Sequence, residues 1–179
     1  MTVDRRALAD AYGRTIPDVI DAGLKVLFVG INPGLYSAAT GRHFARPGNR
    51  FWPALHRGGF TDRQLHPSEQ QELLAYGLGI TNVVARATAR ADELRPDEFV
   101  AGAQMLAAKA ADFGPQWIAL VGITAYRTGW RQPKAVIGEQ PVGIGPSAVW
   151  VLPNPSGLNA HYTPDSLAAE FAKLRERIG

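Results

Sequence analysis

The sequence contains no cysteine, which excludes disulfides, thiolate-bound zinc and iron–sulfur clusters. Lysine is scarce, at 4 residues against 15 arginines. Guanidinium groups suit bidentate phosphate contacts, although GC-rich coding would give the same ratio. No apolar run approaches the ~20 residues of a membrane span. The N-terminus MTVDRRALADAYGR is too polar for a secretory signal, so a cytoplasmic protein is expected. There is no G-x-x-x-x-G-K-[ST] and no G-x-G-x-x-G after the first strand-like run, which leaves phosphate cradles of those types unsupported. G-x-S-x-G is missing too, and no His/Asp/Glu spacing suggests a metal site. Neither a metal nor a cofactor is expected. His43, His56, His66 and His161 fall in loop-like or helix-edge contexts and read as solvated surface residues.

What is present is a chain of 179 residues, 46% of them hydrophobic, enough for one compact domain. The formal net charge of +3 is a mild bias, compatible with nucleic acid and with many other partners. Residues 1–20 read as a loosely attached helical segment broken near Pro17. Leu24 to Ile31 is a continuous apolar run of strand length, as expected for a buried parallel strand. Residues 35–48 show no clear period and read as a long loop. Helices are expected over Asn49–Arg57, Glu69–Tyr76, Pro96–Phe113, Thr124–Trp130 and Thr163–Ile178. Further strands are expected over Gly79–Val84, Trp117–Val121 and Val149–Pro153. This alternation predicts a single three-layer α/β/α domain with a mainly parallel central sheet. Ligands of such folds bind outside the carboxyl ends of the strands.

Two segments at such ends share an unusual chemistry. Gly30-Ile31-Asn32-Pro33-Gly34 leaves the first strand through a tight turn, because proline fixes φ and glycine tolerates positive φ. Asn154-Pro155-Ser156-Gly157-Leu158 follows the last strand and sets a large apolar residue on a polar tip. Each Asn-Pro could be no more than a good turn. Leu158 is either tucked into the core or a wedge for stacked bases.

The order and spacing of GINPG (30–34), GRHFARPGNRFW (41–52), GITNVV (79–84) and LPNPSGL (152–158) resemble the mismatch-specific uracil/thymine-DNA glycosylase family. That family is a branch of the uracil-DNA glycosylase superfamily, and the likeness runs from about Leu24 onward. The resemblance implies that Asn32 holds the attacking water, and that Ile31 and Gly34 offer backbone groups to a flipped base. Phe44 stands where the family has an aromatic that stacks on the base. Asn154 and Ser156 are implied contacts to the base and its flanking phosphates, while Gly157 and Leu158 fill the vacated space and face the widowed guanine. Family members that process thymine carry alanine where this chain has Ser37, near the base edge bearing the thymine methyl. One departure is Asn159-Ala160-His161, where some members have a serine and an arginine.

The implied protein is a monofunctional glycosylase of base excision repair. It would be a monomer acting on double-stranded DNA containing G·U mismatches, with ethenocytosine and, weakly, thymine as further substrates. A base inside a duplex must be flipped out to be reached, and a mismatched one costs least to flip. A non-catalytic binder of mismatched or damaged DNA and a small-molecule nucleoside hydrolase are the alternatives. More bland readings also stand for single residues: Phe44 as a core aromatic, Phe51 and Trp52 as core, and Asn49 and Asn82 as loop holders. Arg42, Arg46 and Arg50 could likewise form a solvated basic face.

Overall fold

The computed structural model describes residues 3–179. Four parallel strands, β1 (Val26–Gly30), β2 (Leu78–Asn82), β3 (Trp117–Val121) and β5 (Ala148–Leu152), form the sheet in the order β2-β1-β3-β5. A two-residue strand, β4 (Gly138–Glu139), pairs antiparallel with β5 at the edge. Every residue of β1 and β3 is buried, which is why those strands read as unbroken apolar runs.

Alternate side chains of β1 feed two cores. Val26 and Phe28 pack with Phe51 and Leu55 of α3 (Phe51–Arg57) and with Phe171 of α6 (Pro164–Ile178). Leu27 and Val29 pack on the opposite face with Leu106 of α4 (Pro96–Phe113) and Tyr126 of α5 (Ile123–Gly129). Helices on both faces make the three layers expected of the sequence. Phe28 anchors the first core, with edge-on contacts to Phe51 at 5.5 Å and Phe60 at 5.4 Å. Complete burial of such a ring stabilises by about 1.5–3 kcal/mol. The α6 cap is also as expected, since the Thr163 hydroxyl accepts from the Ser166 N–H.

Several local expectations are corrected. Residues 35–48 are not all loop, because Leu35–Thr40 forms a short helix, α2. Six residues give no readable period, and its stability comes from tertiary packing of Ser37 and Ala38. The Glu69–Tyr76 helix is instead a 3₁₀ segment, Pro67–Tyr76, with an inner kink at Glu69. The described part of the N-terminal segment, residues 3–20, is not loosely attached. Its helix α1 (Arg5–Asp10) is followed by Ala11, fully buried, and Val19, which exchanges backbone hydrogen bonds of 2.9 and 2.8 Å with Ile80. Asp18 adds a 2.6 Å ion pair to Lys109. A strap held by backbone pairing has no hydrophobic period to reveal it.

His43 is a further correction to the surface reading. It is 2% exposed, and its Nε2 lies 2.8 Å from the Pro17 carbonyl. A carbonyl only accepts, so Nε2 carries the proton. Burial is the main cause that holds the His43 pKa below its usual 6.5. The unfolded chain therefore binds a proton here more readily than the folded one, and stability declines as pH falls below about 6.5. The melting temperature should drop between pH 7 and about 5, and His43→Gln should flatten that part of the curve. An unchanged curve in the variant would show that His43 does not drive the loss.

No helix among the described residues is long and apolar enough to cross a membrane.

Candidate active site

From β1 the chain passes to β2 on one side of the sheet, whereas from β3 it passes through α5 to β5 on the other. The loops leaving β1 and β3 therefore part, and a crevice opens at the carboxyl ends. A cavity of about 420 Å³ lies there, walled in part by Ile31, Asn32, Gly34, Ser37, Phe44 and Asn154. The fold thus brings both Asn-Pro loops to one cleft. It also brings Ser156 and Leu158 to the rim.

Asn32 is held by a segment that no sequence pattern singles out. Its Nδ2 donates to the Arg86 carbonyl and to Thr88 Oγ1, each at 2.9 Å. Thr88 Oγ1 in turn donates to the Arg90 carbonyl at 2.7 Å, so it must accept from Asn32. That chain of donors fixes which end of the amide is nitrogen. Both N–H groups are spent inward, and Oδ1 is left as the amide's free acceptor. Arg86 is fastened by Glu98 through contacts of 2.6 and 3.0 Å. Hydrogen bonding from Arg86 is the main cause that lowers the Glu98 carboxyl to about 2, so this pair stays charged near neutral pH. Thr88→Val keeps the shape but removes one acceptor for Asn32. We expect a loss of about 1–2 kcal/mol in stability and about a tenfold slower excision of uracil, measured in single turnover. Parental rates in that variant would remove Thr88 from the positioning of Asn32.

Phe44 is not a core residue. It adopts φ of +50°, a conformation that non-glycine residues rarely take and that here has neighbours on both sides to hold it. His43 before it receives Trp52 Nε1–H on its carbonyl at 3.1 Å. Ala45 after it donates its N–H to Ser37 Oγ at 3.1 Å. One face of the Phe44 ring is covered by Phe51 at 4.2 Å, which leaves the other for a ligand. Gly30 permits this arrangement, since a Cβ there would lie 2.6 Å from Asn82 Oδ1 and 3.2 Å from the Phe44 ring. Asn82 itself reaches the cleft wall, and its side chain makes no hydrogen bond among the described residues. Its position at the end of a strand, level with Gly30 in the sheet, was the signal available in the sequence. Phe51 and Trp52 are core, as expected. Asn49 does hold a loop, with Oδ1 accepting from the Phe51 N–H at 2.9 Å.

The second Asn-Pro loop is built as a rigid tip. Asn154 Oδ1 accepts from the Ser156 N–H at 2.9 Å, and Ser156 Oγ accepts from the Leu158 N–H at 3.2 Å. Gly157 passes so close to the neighbouring loop that a Cβ would lie 2.6 Å from the Gly48 carbonyl. Leu158 is 77% exposed, which rules out the tucked reading. Arg50 is not part of a solvated face. It donates to the carbonyls of Tyr162 at 2.6 Å, Ser156 at 2.7 Å and Asn159 at 3.0 Å, while its own N–H bonds the Pro155 carbonyl at 2.9 Å. A single guanidinium thus closes the tip on α3.

On the far side of this tip lies a wider trough of about 650 Å³, with Arg127, Val136, His161 and Tyr162 in its wall. It shares Ile31, Asn154, Ser156 and Leu158 with the cleft, so the tip stands as a partition between two hollows. Gly34 is exposed at the mouth of the cleft. Among the described residues no group of three or more His, Asp and Glu side chains is placed to hold a metal ion.

The molecule is thus an open, mostly parallel α/β sheet with a cleft at its carboxyl edge, where the side chains of Asn32, Asn82, Asn154 and Phe44 meet. Residues 17–177 match the family model of the uracil DNA glycosylase superfamily, and the chain belongs to that superfamily. The fold is similar to the solution NMR structure of a candidate uracil DNA glycosylase from Methanosarcina acetivorans. The TM-score is 0.57 at 19% identity, with 91% of this chain and 98% of that one covered.

Proposed function

We propose that this protein is a monofunctional DNA glycosylase that flips uracil out of duplex DNA, chiefly from G·U mismatches, and hydrolyses its N-glycosidic bond. The observation that carries the reading is the fixed amide of Asn32, with both N–H groups bound and Oδ1 free at the cleft. The base departs with the bond electrons as an anion, leaving an oxocarbenium ion on the sugar. A water on Asn32 Oδ1 then adds to C1′ and releases a proton, giving an abasic sugar and, after protonation, uracil. An amide is a poor base, but a cation needs only an oriented water. Donors at the cleft, the Gly34 N–H and the Asn154 and Asn82 side-chain amides, are suited to the negative charge developing on the departing base. Stacking on Phe44 would contribute about 1–3 kcal/mol.

The surroundings support hydrolysis of DNA over its rivals. No lysine is among the residues lining the cleft, so an amine nucleophile for lyase chemistry is missing from its wall. A bare leucine beside the cleft suits a wedge that replaces a flipped base in the stack and has no use with a free nucleoside.

Substrate choice rests on Ser37, which is buried in the cleft wall with its hydroxyl held against the Ala45 N–H. A thymine methyl would crowd that hydroxyl or leave it partly unpaired, a penalty of about 1–3 kcal/mol. We expect single-turnover excision from U·G to exceed that from T·G by about ten- to two-hundredfold or more. Ser37→Ala should narrow this ratio by speeding thymine release, while loss of the Ala45 contact slows uracil release slightly. Excision from neither duplex would overturn the glycosylase reading. An unchanged ratio in the variant would remove only Ser37 from the choice.

A further inference from the structure

A third hollow, of about 550 Å³, adjoins the cleft and has no part in the reaction proposed above. Tyr36 and Thr40 of α2 wall it on one side, with Arg42 and Arg46 from the next loop and Trp52 and His66 opposite. Phe44, Arg46 and Asn49 belong to both hollows, so the two are continuous around the Phe44 ring. Gly48, on the same wall, touches the tip that carries Leu158.

The charge of this cavity is one-sided. No Asp or Glu lines it. Elsewhere Arg57, Arg63, Arg86, Arg90, Arg95 and Arg177 are each paired with a carboxylate, while the other arginines without an ion pair among the described residues, such as Arg14 and Arg131, line neither this cavity nor the cleft. Arg42 and Arg46, both exposed, have no ion pair and no side-chain hydrogen bond among the described residues. Free guanidinium groups beside an accessible tyrosine ring match a phosphodiester and an unstacked base. A paired base could not enter, because its partner strand would have to follow it off the groove. Given the glycosylase reading, we propose that this cavity receives an unpaired nucleotide next to the uracil on the same strand, with its phosphate on Arg42 and Arg46 and its base on Tyr36. Uracils beside a mispaired or extrahelical neighbour then become the best-bound substrates.

The test compares fluorescence anisotropy of short labelled duplexes that carry a 2′-fluorinated deoxyuridine opposite guanine, the fluorine slowing cleavage by destabilising the oxocarbenium ion. One duplex is fully stacked, and two others have an extrahelical thymidine on the 5′ or the 3′ side of the uracil. The parent should bind one extrahelical form about fivefold or more tightly than the stacked duplex. Arg42→Gln and Tyr36→Leu, each checked by thermal melting, should cut that gain below about twofold. Both should leave the stacked duplex and its excision rate unchanged. On the extrahelical DNA, Arg42→Gln should also lower the salt dependence of log affinity by about one. A parent that shows no gain, or variants that weaken all duplexes equally, would overturn the proposal. Excision is read separately on unfluorinated U·G DNA, so a protein that releases no uracil defeats the glycosylase reading while the anisotropy still decides the cavity.

Discussion

Asn32→Ala should slow single-turnover excision of uracil from a U·G duplex by about 10²–10³-fold. The variant loses the group that orients water, and the negative end of the amide dipole beside the developing cation. Binding to the same duplex should change little, since phosphate contacts and the exposed Leu158 are untouched. Stability should fall by about 1–2 kcal/mol, because the Arg86 carbonyl and Thr88 Oγ1 each lose a donor. Assays therefore need a temperature well below the variant's melting point. Equal rates for variant and parent, both folded, would remove Asn32 from catalysis and with it the mechanism.

Arg50→Ala is expected to be the most damaging change outside the cleft wall. Three charge-assisted hydrogen bonds to carbonyls of residues 156–162 disappear together, and no other side chain among the described residues donates to those acceptors. In the parent, Arg50 Nε is buried with no hydrogen-bond partner among the described residues, a cost the protein bears for the fork that grips the tip. We expect a loss of about 2–4 kcal/mol by denaturant titration. Excision should be at least about tenfold slower even where the variant is folded, because Leu158 no longer stands at a fixed height over the cleft. Arg50→Lys should recover little of either, as one ammonium cannot span carbonyls that a planar fork reaches. If Arg50→Lys matched the parent in both stability and rate, the clamp would be only a surface contact.

The strands were legible in the sequence because burial on both faces demands unbroken apolar runs. The long helices were legible for a different reason, through proline or a capping threonine at their starts and glycine at their ends. Leu35–Thr40 was not, being too short for a helical period to register against its small residues. The same limit hid the N-terminal strap, whose anchors are backbone hydrogen bonds at Val19 and a single ion pair at Asp18.

Candidate site residues divide along a similar line. Asn32, Asn154 and Leu158 stand in local patterns of strand, turn and tip, and local sequence carries such patterns, whereas Phe44 was reached only through the family resemblance. Thr88 and the Arg86 carbonyl act on Asn32 across 56 and 54 positions. Arg50 holds its carbonyls across more than a hundred. Partnerships of that range leave no periodic trace, because any residue with a carbonyl can accept. By itself, then, the sequence determined the parallel sheet, the apolar strands and the two Asn-Pro turns, all of which follow from local propensity and burial. Only the tertiary structure decided that both turns share one cleft, that the amide of Asn32 presents its oxygen, that His43 is buried against the Pro17 carbonyl, and that Leu158 stands exposed. Those outcomes depend on which backbone groups meet once the strands are in register, a matter of long-range geometry.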